Sequence, residues 1–122
     1  MTTTLPNPTN HQQAPCCTPT AAVAPRPAES RDLARKLKAL SDPTRLQLLQ
    51  LVAAHPEGRA CICDLTEPLG VTQPTVSHHM KLLAESGFVT REQQGKWAYY
   101  AIKPEALNDL GQHLASLSRP RI

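Results

Sequence analysis

Residues 72 to 102 limit the fold more than any other stretch, because within them the apolar period changes from helical to extended across one glycine. Thr72-Gln73-Pro74 starts a helix, with Thr72 suited to cap it and Pro74 tolerated in its first turn. At 100° per residue, Val76, Met80 and Leu83 share one side, while Thr75, Ser77, His78 and Lys81 spread over the other. Leu82 falls off the apolar side and is expected to pack against a neighbouring element. Ser86-Gly87 stops the helix. Phe88-Val89-Thr90-Arg91 and Trp97-Ala98-Tyr99-Tyr100-Ala101-Ile102 then read as two strands, joined through Gln93-Gln94-Gly95-Lys96 with glycine near the tip.

The rest of the chain supplies helices. With 122 residues and 13.3 kDa there is room for one domain. Residues 1–29 hold half of the twelve prolines, almost no charge and no apolar period, and are expected to form a disordered arm whose only chemistry is the vicinal pair Cys16-Cys17. From Ser30, Leu33, Leu37 and Leu40 recur at helical spacing, with Arg31, Arg35, Lys36 and Lys38 on the other side. Asp42-Pro43 opens a second helix, with the Asp42 carboxylate accepting an orphan backbone N–H; Leu46, Leu49 and Ala53 are its expected buried stripe and His55-Pro56 its end. Asp64-Leu65-Thr66-Glu67 has capping-box spacing and is expected to open a short third helix, weakened by Pro68 and ending near Gly70. Pro104 opens a last helix with Leu107, Leu110, Leu114 and Leu117 on one side. The expected fold is therefore mainly α with a small β-hairpin: a winged helix-turn-helix of about five helices and a two-stranded wing over 30–117, with 118–122 as a tail.

A net charge of +3 and a pI near 8.8 permit a polyanionic partner without requiring one. No run of about 18 apolar residues occurs, and MTTTLPNPTN lacks the basic and apolar regions of a secretory signal, so a cytoplasmic protein with reduced thiols and no membrane partner is expected. No His/Asp pair converges on a cysteine, and there is no phosphate loop or carboxylate pair, so neither enzyme activity nor an organic cofactor is expected.

The polar side of the 72–86 helix suits the major groove of DNA. Gln73 can pair with adenine, Thr75 and Ser77 can contact bases or phosphates, and His78 can donate to guanine or phosphate. Lys81 is assigned to phosphate, and Arg91 and Lys96 on the wing to the backbone near the minor groove. His79, near the apolar edge, is read as a packing residue. One such module buries only roughly 600 to 1,000 Å² on DNA, so two are expected, joined through the leucine sides of the first and last helices.

The cysteines form two tight clusters, Cys16-Cys17 and Cys61-x-Cys63, a spacing that suits ligation better than long-range disulfides. Two residues apart on a regular helix, side chains diverge by about 200°; on an extended segment they share a side, with α-carbons about 6.6 Å apart. A chelate at Cys61 and Cys63 is thus expected to favour an extended or unwound entry to the third helix, whereas DNA binding needs that helix docked against the fourth. Thiolates without a convergent histidine favour a soft ion. His11 and His55 read as surface or turn residues.

LSDPTRLQLL, CICDL and VTQPTVSHHMKLLAESGFV resemble, in order and spacing, the signature segments of the ArsR/SmtB metalloregulators. The resemblance implies a homodimeric repressor that leaves its double-stranded operator DNA when a metal or metalloid binds. Arsenic-responsive members carry Cys-x-Cys-Asp-Leu with a third cysteine soon after; here Thr66 stands three positions past Cys63, leaving a trigonal As(III) or Sb(III) site one sulfur short. Some members contribute a vicinal pair before the first helix, and about thirteen extended residues from Cys17 to Ser30 span roughly 40 Å, enough to bring Cys16 or Cys17 to the site. The last-helix zinc site of the family is not reproduced by Asp109 and His113. The same thiols also suit a redox-regulated or Cd/Pb-responsive repressor, or simply inert apolar packing.

Overall fold

The computed structural model describes residues 26–119. The arm with Cys16 and Cys17, and the last residues of the tail, lie outside the described residues. The elements run α1 (Pro27–Leu40), α2 (Pro43–Ala54), a single 3₁₀ turn (Pro56–Gly58), β1 (Arg59–Cys61), α3 (Ile62–Leu69), α4 (Gln73–Glu85), β2 (Val89–Gln94), β3 (Trp97–Ile102) and α5 (Pro104–Ser116).

Four of the five helices begin on a proline at their first or second position, where the missing N–H has no helical partner to lose. Asp42 caps α2 as its sequence predicts, accepting the Arg45 backbone N–H at 3.0 Å. Thr72 caps α4 through the Thr75 N–H at 3.4 Å. Gly70, at φ 65, closes α3 in the left-handed conformation that glycine adopts without a Cβ penalty.

Three local expectations need correction. Helix α1 starts at Pro27, not Ser30. The buried residues of α2 are Leu48, Leu49 and Val52, whereas Leu46 and Ala53 are exposed. Helix α3 is capped by Cys61 and not by Asp64: the Cys63 N–H donates to the Cys61 sulfur at 3.4 Å and the Asp64 carboxylate accepts the Cys61 N–H at 3.1 Å, a capping box with a thiol in the hydroxyl's place.

The hairpin of β2 and β3 turns at Gly95, φ 62, with Gln94 opposite Trp97. A third, unpredicted strand joins it: β1 pairs antiparallel with β3, giving the sheet order β1-β3-β2. One core holds all of this together, with Phe88, Leu48, Leu65, Met80, Leu83, Val52, Val76 and Val89 fully buried. Each such side chain contributes about 1.5 to 3 kcal/mol by leaving water. Met80, Leu83 and Val76 come from α4, so its polar side is forced outward. Among the described residues, no helix is long and apolar enough to cross a membrane.

Candidate nucleic-acid interface and thiol pair

Burial of Val76, Met80 and Leu83 leaves Gln73, Thr75, His78 and Lys81 exposed and Ser77 half-buried. The Thr75 hydroxyl lies 3.0 Å from that of the cap residue Thr72, so its orientation is tied to the helix start. On the hairpin, Arg91 stands directly opposite Tyr100. Cross-strand partners share a sheet face, and Tyr100 is buried in the core, so Arg91 points along the side that α4 occupies. The result is a groove of about 470 Å³ lined by Ser77, Lys81, Ala84, Glu85, Arg91 and Tyr100. Three of the sequence-predicted DNA contacts, Ser77, Lys81 and Arg91, are therefore brought together between helix and wing. Gln73, Thr75 and His78 lie on α4 outside that lining, and Lys96 is exposed in the turn at the wing tip.

Three groove residues, Ala84, Glu85 and Tyr100, escaped the sequence reading. Glu85 lies 4.0 Å from the Lys81 ammonium and draws it along the helix surface, and Tyr100 forms the floor. Arg91 is steadied by donating to the Gln93 side-chain oxygen at 2.6 Å. Among the described residues, Lys81 and Arg91 thus each have one partner, one distant and one neutral.

Cys61 ends β1 with an extended backbone (φ −76, ψ 150), and Cys63 is the second residue of α3. The change of backbone between them brings the sulfurs to 2.7 Å. The entry to α3 is extended at Cys61, as a chelate by this pair is expected to favour, while α3 itself is intact from Ile62 and packed through the buried Leu65. Cys61 is buried and Cys63 exposed, so one face of the pair opens to solvent. The Cys63 thiol is held above its ordinary value, first by its hydrogen bond to Cys61, then by desolvation and by the negative charges of Cys61 and Asp64.

His55, read from sequence as a surface or turn residue, is half-buried beside this pair. Its Nδ1 donates to the Leu51 carbonyl at 2.7 Å, and its Nε2 faces the Asp64 carboxylate at 4.0 Å. Thr66, where a third sulfur is missing, turns its hydroxyl back to the Ile62 carbonyl at 2.9 Å. Among the described residues, no group of three His, Cys, Asp or Glu side chains is gathered to hold a metal. Cys61 and Cys63 are the cysteines among the described residues.

Residues 42–91 match the family described as "Bacterial regulatory protein, arsR family". The chain is 39% identical to the arsenical resistance operon repressor of Bacillus subtilis over 66% of this chain and 74% of that protein. With the arsenical resistance operon repressor of Staphylococcus xylosus the identity is 40%, over 69% and 78%. In three dimensions it resembles an ArsR family transcriptional regulator, RHA00566, with TM-score 0.63 and 28% identity over 70% of this chain and 91% of that one. A homodimeric winged helix-turn-helix DNA-binding domain from Mycobacterium bovis aligns with TM-score 0.62 and 25% identity over 83% and 94%. The matched residues 42–91 take in the capped α2, α3, α4 and the start of β2, and the chain belongs to the arsR family of bacterial regulatory proteins, transcriptional regulators and not enzymes.

Proposed function

We propose that the chain is a homodimeric repressor that holds its operator as the free protein and releases it when As(III) or Sb(III) binds Cys61, Cys63 and one of Cys16 and Cys17. The observation that carries the reading is the 2.7 Å approach of the two sulfurs at the start of α3, the helix packed directly before α4. Arsenous acid exchanges three As–O bonds for three As–S bonds, and each thiol proton leaves with a hydroxide as water. Gln73, Thr75, Ser77 and His78 read base edges and Lys81, Arg91 and Lys96 grip phosphates. The names of the arsenical resistance repressors support the inducer class.

Because the sulfurs already meet with α3 formed, pairing them does not switch the protein. The switch lies in the third thiolate: drawing Cys16 or Cys17 onto the pair tethers the arm to the start of α3 and displaces that helix against α4. Emptying the operator requires coupling of about 2 to 4 kcal/mol. Serine at Cys61 and Cys63 should leave operator affinity unchanged and abolish release by arsenite in a mobility-shift titration. Arsenite-driven release by the doubly substituted protein would contradict the site.

A second reading has an observation of its own. Sulfurs this close can be oxidised by a peroxide to a disulfide, two thiols and one peroxide giving a disulfide and two waters. Release by peroxide and not by arsenite, in wild-type protein, would favour it.

A further inference from the structure

The signature stretch Ser41-Asp42-Pro43-Thr44-Arg45 caps α2, but its arginine does something the cap does not require. Arg45 Nε donates to the Ala39 carbonyl at 2.6 Å, and its Nη1 lies 3.1 Å from His79 Nδ1. Ala39 belongs to the last turn of α1, whose carbonyls have no partner within the helix, and a guanidinium there also meets the negative end of the helix dipole. His79 sits in the middle of α4, next to the exposed His78. A guanidinium only donates, so His79 Nδ1 accepts and its ring proton is on Nε2. Through one planar fork, the end of α1, the start of α2 and the middle of the recognition helix are joined. Both Arg45 and His79 are only half-buried, so hydrophobic packing alone does not fix this contact.

We infer that Arg45, acting through His79, is a positioning residue that sets the direction of α4 relative to α1 and so the half-site spacing the dimer accepts. The inference rests on the proposed homodimer, in which α1 and α5 meet their copies: if α1 is fixed at the two-fold axis, any rotation of α4 against α1 changes the distance between the two recognition helices. Thr72 and Thr75 fix only the start of α4, whereas the Arg45 fork reaches its middle.

The test uses the full chain and synthetic duplexes carrying the two half-sites defined by footprinting upstream of its own coding region, with spacing altered by single base pairs. Wild type should disfavour altered spacing by about tenfold, the size of effect that one charge-assisted hydrogen bond can control. Arg45→Met and His79→Leu should bind all spacings nearly alike, while His79→Gln, whose amide oxygen can accept from Arg45, should keep the wild-type profile. Variants that retain wild-type discrimination, or that weaken every spacing by the same factor, would overturn the inference. If Arg45→Met fails to fold, nitrogen-detected spectra of wild-type histidines decide it: a protonated Nδ1 on His79 contradicts the bond. Sedimentation of the same samples separates the two readings, because a monomeric wild type sinks the homodimer, whereas a dimer with unchanged spacing preference sinks only the role of Arg45.

Discussion

The proton on Cys63 is kept there by its neighbours, and this determines how the pair behaves before any ligand arrives. The hydrogen bond to Cys61 is the largest influence, followed by desolvation and the charges of Cys61 and Asp64, all favouring the thiol. Because the thiol is held above its ordinary range, its thiolate forms only at more alkaline pH than that of a free cysteine. Alkylation by iodoacetamide should therefore be slow in wild type at about pH 8, fastest in Cys61→Ala, and moderately faster in Asp64→Asn, since reaction runs through the thiolate. Equal rates in all three proteins would contradict this account of the pair. The adjacency of the thiols was legible from Cys-x-Cys, but their direct contact was not, because it depends on the strand ending at Cys61. Arg45 and His79 were likewise opaque: 34 positions separate them, and only the packing of α2 on α4 brings them together.

At the scale of elements, legibility follows the strength of the local signal. Helix α4 carries a clean apolar side and a threonine cap, and its buried residues Val76, Met80 and Leu83 were read correctly. Helix α2 offers Leu46, Leu48, Leu49, Leu51 and Val52 around most of its circumference, so no one side declares itself and tertiary packing chooses Leu48 and Val52 over Leu46. Strand β1 has three residues, too short to show an alternation, and exists only because β3 supplies its partner. Helix α3 was displaced in the reading because Asp64 looks like a cap, when it is the third helical residue of a box capped by sulfur. This start also makes a gain of function predictable. Cys63 and Thr66 are three apart on α3 and share a helix side. Thr66→Cys, added to a chain in which Cys16 and Cys17 are serine, should restore tight three-sulfur arsenite binding, seen as one arsenic retained per chain, without operator release, because no arm is drawn onto α3. The serine pair without Thr66→Cys should not respond; if it does, the arm is not a ligand source.

For the whole molecule, what is left uncovered matters as much as what is packed. Leu114 on α5 and Leu117 just past its end are 41% and 76% exposed, and Leu33, Leu37 and Leu40 of α1 are only partly covered. A chain that buries Phe88 and Leu48 completely while leaving these leucines in water is incomplete as a monomer. Joined through α1 and α5, two copies would present two recognition helices to half-sites about one helical turn apart, on the order of 34 Å. The central claim is that such a dimer holds DNA until sulfur captures the metalloid. Native mass measurement of the operator complex during an arsenite titration under reducing conditions tests it most directly. Two chains per duplex should be seen at first, giving way to free duplex and an arsenic-bearing dimer as arsenite is added. A complex that takes up arsenic and remains on the duplex would contradict the account.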